Sequence, residues 1–346
     1  MKIIVFGAGA IGSYFGASLL LSGNDVVFLE REPAASILKK SGITLKRKGL
    51  VQKVSGLRVF SSYGDIAENG PFDLGILAVK SYDTKIFIED IKSYQKNLPP
   101  ILSLQNGVDN EAKLASLVGW EQVIAGSVAT AIGKEETGVV VIEKLRGVGV
   151  SGSSSKVQEI VKVFNNAGLA ARRYPRIPDM KWSKMLTNLP ANASSAILNM
   201  LPGEIFADKM LFSIEMELLR ETLQVMRALD YKVVNLPGTP VRLLAAGARF
   251  PIWLGQPLIG RVLGKGRGDK KPSFLIEVLN NSGKSEVEFL NGAVACNALK
   301  LKIPTPVNSI LSKTLQDIVN EKINRQDFDH QPKRLLDLIQ DQKIKS

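Results

Sequence analysis

The chain has 346 residues, 45% of them hydrophobic, and Lys plus Arg exceed Asp plus Glu by 12. That length and apolar content suit a globular protein of two domains with an ample core. Cys296 is the one cysteine and His330 the one histidine, which excludes an internal disulfide and leaves no ligand set for a zinc site.

No apolar run reaches the roughly 20 residues of a membrane helix. Met1-Lys2 leads directly into a strand, without the charged and apolar regions of a signal peptide. A cytoplasmic location without a membrane partner is therefore expected, in keeping with the cysteine usage. The basic excess suits either nucleic acid or, through steering, anionic cofactors and carboxylate substrates. The basic residues are spread along the chain and do not alternate with aromatics, which favours the second reading and predicts no nucleic-acid partner.

In chain order, Ile3-Ile4-Val5-Phe6 reads as a buried strand and runs straight into Gly7-Ala8-Gly9-Ala10-Ile11-Gly12 and a helix of small residues. A second strand, Val26-Val27-Phe28-Leu29, ends in Glu30-Arg31. This is a dinucleotide-binding fingerprint in its required context. Gly7 permits the tight turn, Gly9 lets the backbone approach a pyrophosphate, and Gly12 lets the helix pack close to the sheet. The helix start aims N–H groups and a partial positive charge at the phosphates. Residues 43 to 60 alternate apolar and basic and read as a hairpin at a sheet edge.

Phe72 to Lys80 and Ile101 to Gly107 read as buried parallel strands, the first ending in Lys80 and the second in Asn106-Gly107. Residues 84 to 96 and 157 to 167 read as helices, and 123–126 and 138–142 as further strands. The alternation predicts an α/β fold with an N-terminal Rossmann doubly wound sheet. Ligands of such sheets lie at the carboxyl ends of the strands, which gathers Gly7 to Gly12, Arg31, Lys80 and Asn106 around one crevice.

Beyond Pro178 the composition changes, with helices expected over 180–200, 204–230, 285–302 and 306–324. The domains are therefore read as 1–175, dinucleotide-binding, and 176–346, a mainly α-helical substrate and catalytic domain. The second has surface that could support a homodimer. Within it, 236–272 is an insertion rich in Gly, Pro and basic residues, open to reading as a lid, an oligomer contact, a membrane-touching loop or a plain surface insertion. The charged residues after Gln326 read as a weakly attached helix or tail.

Lys184, Asn188 and Asn192 recur at helical spacing, which would put a cation and two amides on one helix face, with Pro190 a source of a kink. A lysine in a cleft can protonate a carbonyl oxygen as hydride reaches the carbon. Ser285 and Glu288 have capping-box spacing, with Glu286 in the first turn behind them.

The chain resembles the ketopantoate reductase family, the 2-dehydropantoate 2-reductases. The resemblance rests on Gly7-Ala8-Gly9-Ala10-Ile11-Gly12, Val79-Lys80, Gln105-Asn106-Gly107, Trp182-Ser183-Lys184-Met185-Leu186-Thr187-Asn188 with Asn192, and Ser285-Glu286-Val287-Glu288 leading to Asn291-Gly292. It implies NADPH-dependent reduction of the ketone of 2-dehydropantoate to pantoate, for pantothenate and coenzyme A synthesis. It implies Lys184 as general acid and Glu286 as a hydrogen-bonding catalytic glutamate. Asn188 and Asn192 would bind substrate, Ser273 its carboxylate, and Asn106 would lie between cofactor and substrate. Gly7 to Gly12, Lys80 and Arg31 fall on the cofactor side, Arg31 meeting the 2′-phosphate.

The chain departs from the family's pattern at Phe274, where Met is usual, at Glu277, where Asp is common, and at Pro202, where an asparagine is expected. The interval from Glu277 to Glu286 is one residue longer. These departures bear on the substrate more than on the reaction, so a paralogous reductase of another small 2-oxo acid stays open. So does a non-catalytic NAD(P)-binding regulator, although a sensor needs no proton donor beside a nicotinamide. Glu30 could accept a ribose 2′-hydroxyl and favour NAD, whereas Arg31 suits a phosphate by charge and shape. The balance favours NADP.

Overall fold

A computed structural model describes residues 1–67, 69–250, 256, 270–280 and 283–345. The chain divides into two compact units, Met1–Lys181 with Leu236–Thr239, and Trp182–Asn235 with Pro240–Ser346. The first is an α/β unit with a Rossmann-type sheet and the second is helical, as the patterning predicts.

Three central strands of the first unit, β1 (Lys2–Phe6), β2 (Asp25–Leu29) and β6 (Leu74–Leu77), are buried on both faces. Their side chains alternate between two cores. Ile3, Val5, Val26, Phe28, Leu74 and Ile76 join one; Ile4, Phe6, Val27 and Leu77 join the other. Helices α1 (Ala10–Leu21) and α6 (Val157–Asn166) cover the first core. Helices α3 (Tyr63–Ala67), α4 (Thr84–Ile91) and α5 (Asn110–Val118) cover the second. Burial on both faces is why these strands read as continuous apolar runs.

With β5 (Arg58–Phe60), β7 (Ile101–Ser103), β8 (Val123–Val128), β11 (Val148–Gly152) and β12 (Ala171–Arg173), the sheet order is β12-β11-β8-β7-β6-β1-β2-β5. From β5 to β8 neighbouring strands are parallel; β11 runs antiparallel to β8, and β12 parallel to β11. Chain order departs from β1 in both directions, so the topological switch point lies between β1 and β6.

The hairpin expected at a sheet edge over 43–60 forms over 43–54, at the edge of a second sheet. Strands β3 (Ile43–Arg47) and β4 (Leu50–Val54) pair with each other, and β3 pairs with β10 (Val139–Lys144), itself paired with β9 (Ala131–Glu136). These four make a separate sheet, and Arg58–Phe60 alone forms the main sheet's edge beside β2. The alternating burial of β3 and β10 marks one buried face, a pattern that does not fit a sheet sandwiched between helices.

The second unit opens in α7 (Ile177–Asn188), whose first five residues belong to the first unit, and continues in α8 (Ala193–Leu198), α9 (Pro202–Ala207), α10 (Lys209–Ala228) and α11 (Val241–Gly247). It closes with α12 (Ser273–Leu279), α13 (Asn291–Lys300), α14 (Pro306–Val319) and α15 (Pro332–Lys345). The helix expected over 180–200 is broken, because Pro190 has no N–H and Ala191 takes a left-handed φ of 50°. The charged tail is helical and docks Leu335 and Ile339 into the core. Of the insertion, residues 251–255 and 257–269 lie outside the described residues, and with them most of the apolar piece that invited a lid or membrane reading. Arg220 binds the carbonyls of Ala248 and Phe250. Among the described residues no helix is long and apolar enough to cross a membrane.

Helix α10 carries a buried acid into this unit. Glu221 accepts N–H groups from Val307 and Asn308, each at 2.9 Å, and from the Asn308 side chain at 2.7 Å, so it caps the start of α14. Burial outweighs these bonds and pushes its carboxyl up to about 7. Between the ordinary value and that one the folded protein holds a proton that the unfolded chain releases. Stability from this group is thus full at acid pH and falls as pH rises through about 7, by about 3 kcal/mol in all. Glu221→Gln should show a flatter dependence of Tm on pH between about 5 and about 8 than the wild type, read by thermal unfolding; parallel curves would contradict this account.

Candidate active site

In the first unit the register brings four strand ends level. Phe6 pairs with Leu29 and Leu77, and Leu77 with Ser103. Backbone bonds carry this alignment one residue past the strands: Gly7 N–H to Leu29 O, Ala78 N–H to Phe6 O and Leu104 N–H to Leu77 O, all 2.9 Å. Gly7 to Gly12, Glu30-Arg31, Lys80 and Asn106 therefore all follow the carboxyl ends of adjacent strands, beside the switch point.

Two glycines of the turn are sterically required. Gly7 has φ of 87°, and a Cβ there would lie 2.8 Å from Val79 Cγ1. A Cβ on Gly12 would lie 1.8 Å from the carbonyl oxygen of Gly7, inside any allowed contact. A Cβ on Gly9 would meet nothing within 4 Å, so its side of the turn is open. Behind it α1 begins with no acidic residue in its first turn. An open backbone at the start of a 12-residue helix fits a dinucleotide pyrophosphate.

Glu30 bends back into this turn. Its carboxylate accepts Ala8 N–H at 2.5 Å and Arg31 N–H at 2.8 Å. The arginine side chain beside it is exposed, as is Lys80. Asn106 is exposed too, and its carbonyl accepts Ser81 Oγ–H and Asn110 Nδ2–H, both at 2.8 Å. The preceding residue, Gln105, donates from Nε2 to the carbonyl of Val79 at 3.1 Å and to Thr84 Oγ1 at 2.7 Å. The Gln105 carbonyl receives Lys181 Nζ at 2.8 Å, and this buried lysine forms an ion pair with buried Glu111 at 2.9 Å without hydrogen-bond alignment. Sequence reasoning missed Lys181 and Glu111. Their signal, a lysine and a glutamate flanking motif residues, becomes visible only once both are known to be buried.

In the second unit, Lys184 and Asn188 share one face of α7 at i, i+4, and both are half-buried. Asn192 does not extend that face. The helix ends at Asn188, and Asn192 sits just before α8, 5% exposed. It still meets another expected site residue. Its Nδ2 lies 3.3 Å from Ser273 Oγ, and its Oδ1 accepts Phe274 N–H at 3.2 Å, at the start of α12. Farther along α12, Glu277 Oε2 accepts the N–H of Glu286 at 3.3 Å. The glutamate that replaces the expected aspartate thus reaches across the longer interval to that residue's backbone.

Glu286 is buried, in a 3-10 turn (Glu286–Phe289) that precedes α13 in place of one continuous helix. Ser285 caps that turn by accepting Val287 N–H at 3.2 Å. Hydrogen bonds therefore run from Asn192 through Ser273 and α12 to Glu286. Pro202 is buried at the first position of α9, where a missing N–H costs nothing. Within this unit stand a half-buried lysine, two amides, a hydroxyl and a buried carboxyl group. That set can bind a carboxylate and donate a proton to a carbonyl oxygen. His330 lies apart, exposed and bonded to Asp329.

Residues 3–153 match the model of ketopantoate reductase PanE/ApbA, and residues 176–319 match the model of its C-terminal part. A 2-dehydropantoate 2-reductase of Pyrococcus horikoshii is 28% identical over 318 residues, covering 90% of this chain and 95% of its own. A PanE/ApbA family ketopantoate reductase from Ralstonia eutropha JMP134 aligns with a TM-score of 0.78 and 24% identity, over 93% of this chain and 99% of that one. D-mandelate dehydrogenase in a ternary structure with NADH and anilino(oxo)acetate aligns with a TM-score of 0.76 and 21% identity, over 92% and 100%. At these identities the two structural likenesses concern the fold.

Two outcomes follow from the glycine turn and the residues at the end of β2. Gly12→Ala should destabilise the protein by about 1–3 kcal/mol through overpacking and weaken dinucleotide binding, read by denaturant unfolding and fluorescence titration. If Arg31 meets a 2′-phosphate, Arg31→Ala raises the Kd for NADPH by about tenfold, the loss of one charged hydrogen bond, and leaves NADH within about twofold. Equal losses for the two would show that Arg31 does not meet a 2′-phosphate.

Proposed function

The chain belongs to the ketopantoate reductase PanE/ApbA family of oxidoreductases, which bind a nicotinamide cofactor, and on that premise we propose that it reduces 2-dehydropantoate to pantoate with NADPH. The observation that carries the reading is the half-buried Lys184 one helical turn from Asn188, in the same unit as the Asn192–Ser273 contact. The glycine turn and the start of α1 would hold the pyrophosphate, with Lys80 and Asn106 on the cofactor side. Arg31 would take the 2′-phosphate; the bonds that hold Glu30 in the turn keep its charge occupied with backbone N–H groups.

When bound, the reduced nicotinamide supplies a hydride to C2 of the oxo acid and is oxidised. Lys184 donates a hydrogen bond to the C2 oxygen, stabilises the negative charge that grows as the π bond breaks, and passes a proton from Nζ to complete the hydroxyl. Solvent then returns a proton to Nζ. Asn188 and the second amide hydrogen of Asn192 orient the substrate, and Ser273 Oγ binds its carboxylate, so the carbonyl is held for attack. Glu286 hydrogen-bonds the substrate hydroxyl. The proposed setting is the cytoplasm, with a small 2-oxo acid as the partner.

A second reading keeps the chemistry and changes the acid. Pro202 stands where a substrate-binding asparagine is expected, and Phe274 where a methionine is usual, so another 2-oxo acid could fit better. Both readings are tested by the loss of NADPH absorbance with 2-dehydropantoate beside a panel of aliphatic and aromatic 2-oxo acids. The proposal expects 2-dehydropantoate to give the highest kcat/KM, and Lys184→Ala to lower kcat by about 100-fold or more, the usual loss for a general acid. Faster turnover of another member of the panel would establish the second reading. NADPH binding without turnover of any of them would point to a regulator.

A further inference from the structure

Glu215 is 1% exposed on α10, and the mechanism above gives it no part. Its carboxylate reaches the segment between α7 and α8. One oxygen accepts the N–H of Ala191 at 2.7 Å; the other accepts the Ser194 hydroxyl at 2.5 Å. Within this segment, Leu189 to Asn192, Leu189 N–H bonds the Met185 carbonyl at 3.0 Å and Asn192 N–H the Leu189 carbonyl at 3.2 Å, which leaves the Ala191 N–H to the carboxylate. Pro190 has no N–H, and Ala191 holds φ of 50°, which alanine disfavours. The last residue of α7 is Asn188, and the residue just before α8 is Asn192. The carboxylate therefore grips the chain between the two amides and again two residues beyond the second.

We propose that Glu215 is a positioning residue for substrate binding: it clamps the left-handed turn at Ala191 and so sets Asn188 and Asn192 at a fixed separation. This inference rests on the reading that those two amides hold the substrate. The effect is carried further by Asn192, whose side chain binds both Ser273 and the first turn of α12. Without the clamp, the turn is free to leave the left-handed conformation, and Asn192 to lose its alignment with Ser273. Chemistry at Lys184, one turn back inside α7, is less exposed to that change. The clamp is thus expected to act on KM more than on kcat.

The test is steady-state kinetics of the full chain with 2-dehydropantoate and NADPH, together with NADPH titration by fluorescence. Glu215→Ala should raise KM at least tenfold and lower kcat less than threefold, with the NADPH Kd within twofold of wild type. Glu215→Gln should return KM to within threefold, because its amide oxygen can still accept the Ala191 N–H and its nitrogen can donate to Ser194 Oγ. A role confined to stability would lower Tm and leave KM of the folded enzyme unchanged, and that result overturns the inference. If Glu215→Ala does not fold, Ser194→Ala removes one of the two grips; a KM raised about threefold supports the clamp, and an unchanged KM refutes it. A wild-type enzyme that binds NADPH but does not turn over 2-dehydropantoate overturns the functional reading instead, and the clamp's assigned role with it.

Discussion

The first unit depends on how closely the start of α1 approaches the turn that leaves β1. The carbonyl of Gly7 occupies the space that a Cβ of residue 12 would need. Only with glycine there can the helix begin at Ala10, directly behind the strand end. This closeness turns the helix's unsatisfied N–H groups toward the switch point and aligns them with the ends of β1, β2, β6 and β7. Buried polar contacts around Asn106 extend the same arrangement. Gln105 and the buried pair of Lys181 and Glu111 hold backbone that would otherwise be a loose loop, at the cost of bringing charges out of water.

The second unit is organised by a different device. Several of its helices have only six or seven residues, and the first N–H groups of every helix lack partners within it. Buried or half-buried carboxylates supply them. Glu221 takes the start of α14, Glu277 the N–H of Glu286, and Glu215 the turn before α8. Asp208 accepts from Met210 and Leu211 at the start of α10. Asp208 acts locally, whereas Glu215 and Glu221 hold backbone distant in sequence; the Asn192 amide and Glu277 carry the connection over more than 90 positions, from Asn192 to Glu286.

Much of the fold was legible in the sequence, and for a clear reason. Strands buried on both faces carry unbroken apolar runs, and the glycine turn follows the first of them without a spacer. The additional strands β9, β11 and β12 were not legible. Arg172 and Arg173 lie in an edge strand that carries no apolar run, and β9 ends in Lys134-Glu135-Glu136. Which sheet a strand joins was equally hidden, because β3 and β10 pair across nearly a hundred residues. In the site, Lys184 with Asn188 could be read from a period of four. Asn192 fell on the same arithmetic, but Pro190 ends the helix between them.

By itself, the sequence determined the class of fold, the glycine turn with its helix, and the helical character of the second half. Periodicity and local sterics suffice for these, since each depends on neighbours within a few positions. The tertiary structure alone decided that Glu30 folds back onto Ala8, that Asn192 meets Ser273, that Glu277 reaches Glu286, and that Glu215 grips the turn at Ala191. These are contacts of buried polar groups across long separations. Whether a given carboxylate faces water or a backbone N–H depends on which helices pack around it, and no local pattern in the chain encodes that.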